Sequence, residues 1–269
     1  MVQTRYGTFE FKVMPFGLAG APSTFQHLMH STFIRELDDF VIVYRDDVLI
    51  YSRSKREHLA HLRTVFERAR EHQLYLNPAK CEITNQRATY LGFVIEPGKV
   101  SPDPKKVETV RDWPEVLKDR KKQLRGFLGM VGFYRKLIPN FNKLAHPLHQ
   151  LLKETSDMHW RPKHSRAVHD LKDSLVHATN LHIFDPGKPM VIKTDASQHA
   201  IGAVLEQEGQ PVAFESRKLS TRDQFLPAYE SELLAIVYAL TKWKSFMGTK
   251  LVMVETDHAT LSRMLLQKK

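Results

Sequence analysis

Two adjacent carboxylates, Asp46 and Asp47, stand in a short polar segment between two apolar runs. Ionising both neighbouring carboxylates is unfavourable unless a cation lies beside them. Proteins commonly hold Mg²⁺ through one or two carboxylates together with the phosphate oxygens of a substrate. The pair therefore indicates a divalent-metal site, although Asp is also common in exposed turns that bind nothing.

The elements around this pair predict how it is positioned. Residues 40–44 and 48–51 are rich in β-branched and aromatic side chains, which predicts a hairpin with Arg45, Asp46 and Asp47 in its turn. Residues 57–73 repeat apolar side chains at helical spacing and form the next predicted element. A further strand is predicted over residues 89–95, before the turn dipeptide Pro97-Gly98.

The basic residues are concentrated in the middle of the chain. The 40 Lys and Arg outnumber the 30 Asp and Glu, which gives a net charge of +10. Residues 99–180 hold 17 basic and 9 acidic side chains, whereas residues 1–98 hold 12 and 11. Such an imbalance is expected of a face that meets a polyanion, and a solvated surface is the alternative explanation.

Within this basic segment, residues 118–137 predict a helix with an apolar inner face. Three glycines, Gly126, Gly129 and Gly132, recur at intervals of three along it. Glycine costs a helix about 1 kcal/mol relative to Ala, so the repeat calls for a reason. Close approach of a ligand and tight packing between helices are both consistent with the spacing.

The rest of the chain predicts a second α/β unit and excludes several classes of protein. Residues 155–165 are polar and indicate a linker, and four predicted strands with one long helix, over residues 227–246, follow residue 189. The single cysteine, Cys81, excludes an internal disulfide framework and a multi-cysteine zinc site. The longest apolar run has 8 residues, too few to cross a bilayer, and the N-terminus resembles no signal peptide. We expect an intracellular protein without membrane contact, in the cytoplasm or a particle, with the nucleus left open.

Several linked motifs resemble the reverse transcriptases of gypsy-type LTR retrotransposons. Residues 13–26 are similar to a palm motif of that family, and residues 44–52 to its Y-x-D-D hairpin. The resemblance implies that Asp46 and Asp47 are catalytic residues that hold Mg²⁺, with Mn²⁺ as the alternative ion. It also implies a deoxynucleotide pocket, and the sites it assigns there are Phe16, Gly17, Tyr44 and Arg45.

The same resemblance extends into the basic segment. Residues 90–95 are similar to the family's primer grip, and residues 124–135 to its thumb helix, which lies along the minor groove of the template–primer. This implies a nucleic-acid-binding surface, and the residues assigned to it are Gly92, Lys121, Lys122, Arg125, Gly129 and Phe133.

The C-terminal unit resembles the family's ribonuclease H domain. Thr194-Asp195, Glu232 and Thr256-Asp257 match its acidic motifs on a strand, a helix and a strand. The resemblance makes Asp195, Glu232 and Asp257 catalytic ligands of two metal ions, which would clamp the attacking and leaving oxygens. Glu230, two residues before Glu232, is interpreted as solvated.

The resemblance predicts an α+β multidomain fold, with part of a reverse-transcriptase palm and a helical thumb followed by a ribonuclease H-like α/β domain. The predicted boundaries are palm 1–98, thumb 99–154, connecting segment 155–188 and nuclease 189–269.

The expected function is RNA-directed DNA synthesis with ribonuclease H activity, on DNA template–primer, RNA–DNA hybrid and deoxynucleotides, as part of a retrotransposon polyprotein. Against the family pattern, a third palm carboxylate and a fourth nuclease ligand are missing, and Arg45 replaces an apolar residue. We therefore expect no primer extension by the isolated chain. The alternative is a non-catalytic nucleic-acid-binding remnant of a decayed element.

Overall fold

A computed structural model describes residues 1–15, 17–114, 121–153, 159–178 and 180–256 of the chain. The chain divides between Leu91 and Gly92 into two units. The first unit contains the hairpin, and the second contains the thumb-like helices and the C-terminal sheet. None of the helices in the described ranges is both long and apolar enough to cross a membrane.

The first unit packs two helices against a two-stranded hairpin. Its elements are β1 (Val2–Thr4), β2 (Gly7–Phe9), α1 (Ala21–Thr32), β3 (Val41–Tyr44), β4 (Asp47–Ile50), α2 (Lys55–Glu71) and β5 (Ala88–Tyr90). The core forms where Met29 of α1 and Val65 of α2 meet Val41 and Val43 of β3. Alternate residues of β3 are therefore buried, while Tyr44 between them and the turn is exposed.

The predicted hairpin and the predicted α2 helix are confirmed, whereas the length of the hairpin turn and one further predicted strand differ from the prediction. Tyr44 pairs with Asp47, so the turn contains only Arg45 and Asp46 and the second carboxylate begins a strand. The strand predicted over residues 89–95 is interrupted, because Leu91 (φ +49°) and Gly92 (φ +79°) adopt left-handed conformations that extended backbone does not allow.

The second unit joins a helical part to a four-stranded sheet. Its strands are β6 (Phe93–Glu96), β7 (Lys99–Pro102), β8 (Leu181–His182), β9 (Val191–Ala196), β10 (Ala200–Gln207), β11 (Gln210–Lys218) and β12 (Met253–Thr256). Its helices are α3 (Pro104–Arg111), α4 (Lys121–Phe133), α5 (Phe141–Leu151), α6 (Pro162–Val176), α7 (Ala228–Lys242) and α8 (Lys244–Met247).

The helical part has a continuous apolar core. Leu124, Phe127, Leu128 and Val131 form the buried face of α4, as their spacing predicts. The helix predicted over residues 118–137 is described from Lys121 and ends at Phe133, before a 3₁₀ turn at Arg135–Leu137. The linker predicted to reach residue 165 is too long, because α6 begins at Pro162.

The C-terminal sheet has the strand order β11-β10-β9-β12. β10 is antiparallel to both of its neighbours, and β12 is parallel to β9. Helix α7 covers one face, where Ala239 packs with Ile192 and Leu205. This arrangement places β11 at one edge of the sheet and the C-terminal ends of β9 and β12 side by side. The domain boundaries given above stay predictions.

Candidate functional site

The two adjacent carboxylates lie at the exposed tip of the β3–β4 hairpin. Arg45, the first residue of the two-residue turn, has a left-handed φ of +54°. Two-residue turns with a positive φ match the right-handed twist of paired strands, so the turn closes the hairpin tightly. Asp46 and Asp47 are consequently held next to each other and open to solvent. Their oxygens suit a hard divalent cation, so the donor set fits the implied Mg²⁺.

Helix α1 holds this hairpin through Gln26. The side-chain oxygen of Gln26 accepts a hydrogen bond from the backbone N–H of Arg45, and its Nε2 donates to the carbonyl of Val43 at 3.4 Å. One amide therefore ties both the turn and the strand before it. Sequence reasoning did not assign this role, because the two partners are 17 and 19 residues away from Gln26.

We expect replacement of Gln26 by Leu to loosen the turn without unfolding the first unit. Each neutral hydrogen bond contributes about 1 kcal/mol, so the Arg45 amide should exchange its hydrogen at least about fivefold faster. Amide exchange followed by NMR measures this directly. Replacement of His27, the exposed neighbour on α1, by Gln is the control, and unchanged exchange at Arg45 in Gln26→Leu would contradict the role given to Gln26.

Tyr90 on β5 is half-buried, and its hydroxyl is a buried polar group in the surroundings of Asp47. Burial raises the pKa of the Tyr90 phenol, and the negative charge of Asp47 raises it further. Its Oη has no hydrogen-bond partner among the described residues. The structure therefore brings Tyr90 into the electrostatic surroundings of the hairpin tip. The sequence analysis gives Tyr90 no role of its own and includes it only in the segment that resembles the primer grip.

The nucleotide-pocket residues are placed less completely. The guanidinium of Arg45 lies over the ring of Tyr44, 5.5 Å from its centroid. Gly17 is exposed and has a left-handed φ of +91°, which favours glycine there. Phe16 lies outside the described residues, so its predicted role stays a prediction.

Gly92 and Phe133, two of the predicted nucleic-acid contacts, meet in the second unit. A Cβ on Gly92 would lie 3.2 Å from the Phe133 ring, and the hydroxyl of Tyr134 donates to the Gly92 carbonyl at 2.8 Å. Phe93 stacks on Phe133 with 5.3 Å between ring centroids. Phe133 is nevertheless 54% exposed, so it presents an aromatic surface on a rigid support.

The three glycines of α4 have different surroundings. A Cβ on Gly126 would contact the Trp113 ring at 3.5 Å, and one on Gly132 would contact Phe141 at 3.7 Å. Gly129 is exposed, and a Cβ there would meet no atom within 4 Å. A methyl group would therefore make only ordinary van der Waals contacts at Gly126 and Gly132, and of the three glycines only Gly129 faces open space at its Cβ position. Three predicted phosphate-binding cations occupy the first turns of the same helix: Lys121, Lys122 and Arg125.

The nuclease carboxylates come from β9 and α7. Glu232 is 6% exposed, and its Oε1 accepts a hydrogen bond of 3.0 Å from the backbone N–H of Ala196. Asp195 is the residue before Ala196, so the helix carboxylate lies beside the end of the strand that carries Asp195. Glu230 is half-buried and accepts a hydrogen bond from Tyr229, so it is less solvated than predicted.

The third predicted ligand, Asp257, lies outside the described residues. Thr256, its predecessor, pairs with Thr194, the predecessor of Asp195, across parallel strands. Within the described ranges, no three His, Cys, Asp or Glu side chains form a group that could hold a metal ion. The described part of the site thus supplies two carboxylates, a donor set that fits a hard cation.

Asn140, which sequence reasoning missed, lies close to this strand end. Gly202 pairs directly with Asp195, and a methyl group on Gly202 would overlap the side-chain oxygen of Asn140. The start of α5 therefore approaches the same row of the sheet as Asp195.

Two separate segments of the chain match known family models. Residues 1–95 match the model described as reverse transcriptase (RNA-dependent DNA polymerase). Residues 160–254 match the model described as the RNase H-like domain found in reverse transcriptase. The chain belongs to the reverse-transcriptase family. The two matched segments follow each other in the order that the resemblance implies.

Similar curated proteins are retrotransposon polyproteins. The retrovirus-related Pol polyprotein from transposon 297 of Drosophila melanogaster is 36% identical over 259 residues, which is 96% of this chain and 24% of the relative. The transposon Tf2-3 polyprotein of Schizosaccharomyces pombe is 33% identical over 262 residues, 95% of this chain and 20% of the relative. The chain therefore spans about a quarter or less of the length of these relatives.

Solved structures support the fold. A foamy viral protease-reverse transcriptase dRH, solved in complex with double-stranded DNA, has a TM-score of 0.80 at 23% identity and covers 94% of this chain and 45% of that one. A foamy viral protease-reverse transcriptase in complex with RNA/DNA hybrid has a TM-score of 0.74 at 22% identity. This match covers 93% of this chain and 34% of that chain. The predicted α+β class, reverse transcriptase followed by a ribonuclease H-like domain, is confirmed.

Proposed function

We propose that this chain is the palm, thumb and nuclease portion of an RNA-directed DNA polymerase with ribonuclease H activity, and that it works inside the cell. Its substrates are DNA template–primer, RNA–DNA hybrid and deoxynucleotides, and its cofactor is Mg²⁺ or Mn²⁺. The observation that carries the proposal is the exposed pair Asp46 and Asp47 on a hairpin that α1 holds in place. Phosphoryl transfer needs little covalent chemistry from the protein and depends on positioning and charge stabilisation.

The hairpin residues would act by position. Asp46 and Asp47 would hold the metal ion, which when bound neutralises charge on the phosphate oxygens. Gln26 fixes the turn that carries Asp46 and leads directly into Asp47, so the carboxylates do not depend on a mobile loop. A fixed set of charges costs no reorganisation when the reaction proceeds.

The thumb residues would hold the duplex. Lys122 and Arg125 are exposed and Lys121 is half-buried on the first turns of α4, where these cations can reach phosphates, and the open surface at Gly129 allows close approach. The exposed ring of Phe133 offers a surface on which a base or sugar can stack. Because phosphate contacts carry no sequence information, binding should be insensitive to sequence.

The nuclease residues would act on the RNA strand of a hybrid. Glu232 is held by the backbone of Ala196, and Asp195 stands one residue earlier on the same strand. With Asp257, these residues would hold the two metal ions that the resemblance implies. Their described geometry supports this assignment, and Thr256, the residue before Asp257, pairs with Thr194, the residue before Asp195.

A non-catalytic nucleic-acid-binding role is the second candidate. Arg45 places a long cation next to Asp46 and Asp47 at the exposed tip, where a bound metal and a nucleotide would need space. Under this alternative the chain binds duplex through the thumb but performs no metal-dependent chemistry.

Salt-dependent binding tests the thumb assignment, which both candidates share. The logarithm of the binding constant for duplex DNA should fall linearly with the logarithm of the salt concentration. The expected slope is about −0.9 for each phosphate neutralised. The double variant Lys121→Gln, Lys122→Gln should make that slope less negative by about 2. Each cation that contacts a phosphate contributes about 1 to its magnitude. Fluorescence anisotropy over a salt series measures the slope.

The control is the double variant Lys55→Gln, Arg56→Gln. These two residues are adjacent, exposed cations at the start of α2, so the variant removes the same amount of charge. Equal slopes for the two double variants would contradict the thumb assignment. Replacement of Gly129 by Leu should weaken binding through lost close approach and leave the slope nearly unchanged.

A further inference from the structure

A basic cleft lies along the edge of the C-terminal sheet that strand β11 forms. It has a volume of about 440 Å³ and lies between the 3₁₀ turn at Arg135–Leu137, the start of α5, strand β11 and helix α7. Its lining residues include five cations and one carboxylate: Arg135, Lys136, Arg217, Lys218, Lys242 and Glu215. We propose that this cleft binds an anion that carries several phosphate groups.

The charges of the cleft are largely uncompensated. Glu215, its only lining carboxylate, is 8% exposed and already accepts from Arg135 at 3.4 Å and from the hydroxyl of Tyr238 at 3.2 Å. Lys136, Lys218 and Lys242 pair with no carboxylate in the described part of the chain. Like charges gathered in a concave site repel one another, and an anionic ligand relieves that repulsion.

Hydrogen bonds to Ser216 hold the walls of the cleft in place. The carbonyl of Ser216 accepts from Arg135 Nη2 and from Asn142 Nδ2, each at 2.7 Å. The hydroxyl of Ser216 accepts from the Asn142 backbone N–H at 3.1 Å. The Arg217 guanidinium lies over the ring of Tyr238 on helix α7, 5.5 Å from the ring centroid. The cations therefore project from a fixed frame rather than from a mobile loop.

The positive field extends to histidines outside the cleft. Partial burial and the charges of Lys218 and Arg135 lower the pKa of His149. Burial, the neighbouring His199 and Lys218 lower the pKa of His146 in the same way. An anion bound in the cleft would offset these charges, so it should raise the pKa of His149.

Phosphate groups fit this cleft better than a carboxylate does. The space exceeds that of a single small anion, and it lies within the usual range of about 300–1,000 Å³ for ligand sites. Guanidinium groups match phosphate oxygens with paired donors, and lysines bind them as point charges. The phosphates could belong to a nucleic-acid strand or to a free polyphosphate, and the experiment separates these two sources.

Inorganic tripolyphosphate is the probe, titrated into the full chain by calorimetry. The double variant Lys218→Gln, Lys242→Gln should bind it roughly tenfold more weakly, since it removes two of five cations. The double variant Lys105→Gln, Lys106→Gln removes equal charge from exposed positions on α3 and should bind normally. NMR titration should show the pKa of His149 rising when tripolyphosphate binds.

The results of these binding experiments distinguish a nucleic-acid strand from a free polyphosphate as the ligand. They do not depend on the polymerase or nuclease assignments. Competition between tripolyphosphate and duplex DNA identifies strand phosphates as the source, whereas simultaneous binding identifies a free polyphosphate. Equal binding by both double variants would overturn the proposal, as would no binding at all. Equal affinity for a tetraglutamate peptide would overturn it too, because the cleft would then select charge alone.

Discussion

Replacement of Glu232 by Gln should abolish cleavage of the RNA strand in an RNA–DNA hybrid while the fold persists. Gln keeps the side-chain volume, and its carbonyl oxygen can still accept the hydrogen bond from Ala196. It lacks the negative charge that a metal ligand supplies. In metal sites, loss of a residue that only hydrogen-bonds to a metal ligand already lowers activity by about 10- to 100-fold. Loss of a ligand itself should therefore lower activity by more than that. Asp195→Asn should have the same effect.

The control is Glu230→Gln, the same substitution two residues earlier on the chain. Glu230 accepts from Tyr229 and takes no part in the proposed site, so its replacement should leave cleavage unchanged. The measurement is cleavage of a labelled hybrid with Mg²⁺ and with Mn²⁺, together with thermal melts of each variant. Cleavage that persists in both Asp195→Asn and Glu232→Gln would show that the site is assigned wrongly. Absence of cleavage in the unaltered chain would favour the non-catalytic role.

Two glycine-to-alanine changes in the second unit should have opposite effects on stability. Gly92→Ala forces a side chain into a φ of +79° and brings its Cβ within 3.2 Å of the Phe133 ring. The left-handed conformation alone costs about 1–2 kcal/mol for an L-residue, so unfolding should become easier by at least that amount. Gly129→Ala has no such neighbour and gains helix propensity, so it should stabilise by up to about 1 kcal/mol.

Chemical denaturation of both variants measures the difference, and each serves as the other's control. The contrast depends on the Gly92 backbone, which the Tyr134 hydroxyl also holds. If Gly92→Ala were neutral, the left-handed link before β6 would not be a fixed feature of the fold. If Gly129→Ala were strongly destabilising, the surface at Gly129 would be packed rather than open.

The sequence predicts the hairpin and the buried faces well, because both follow from local patterns. Apolar and β-branched residues in 40–44 and 48–51 predict strands, and the buried residues of α4 repeat at helical spacing. The break at Leu91 and Gly92 departs from the predicted continuous strand, because Leu91 takes a left-handed φ that its residue type does not indicate, and the isolated glycine after it is the one local signal of the break. Helix α6 begins inside the predicted linker, where a polar composition obscured its first turn.

In the candidate site, too, the sequence predicts the residues that lie in local motifs and not those that act through long-range contacts. A resemblance can assign Asp46, Asp195 and Glu232, because their motifs are contiguous in the chain. The residues that hold them in place are less accessible to such reasoning. Gln26 contacts a turn 19 residues away, and Asn140 contacts a strand about 60 residues further along. These contacts depend on the three-dimensional fold, which spacing in the sequence does not specify.

Strand β11 has a further property that follows from its place in the sheet. An edge strand presents unpaired backbone groups, on which another chain can add a strand and begin aggregation. Here Arg135 and Asn142 both occupy the carbonyl of Ser216, and the charged side chains of Arg217 and Lys218 follow it directly. The contacts that shape the basic cleft therefore also protect the sheet against edge-to-edge association with a second molecule.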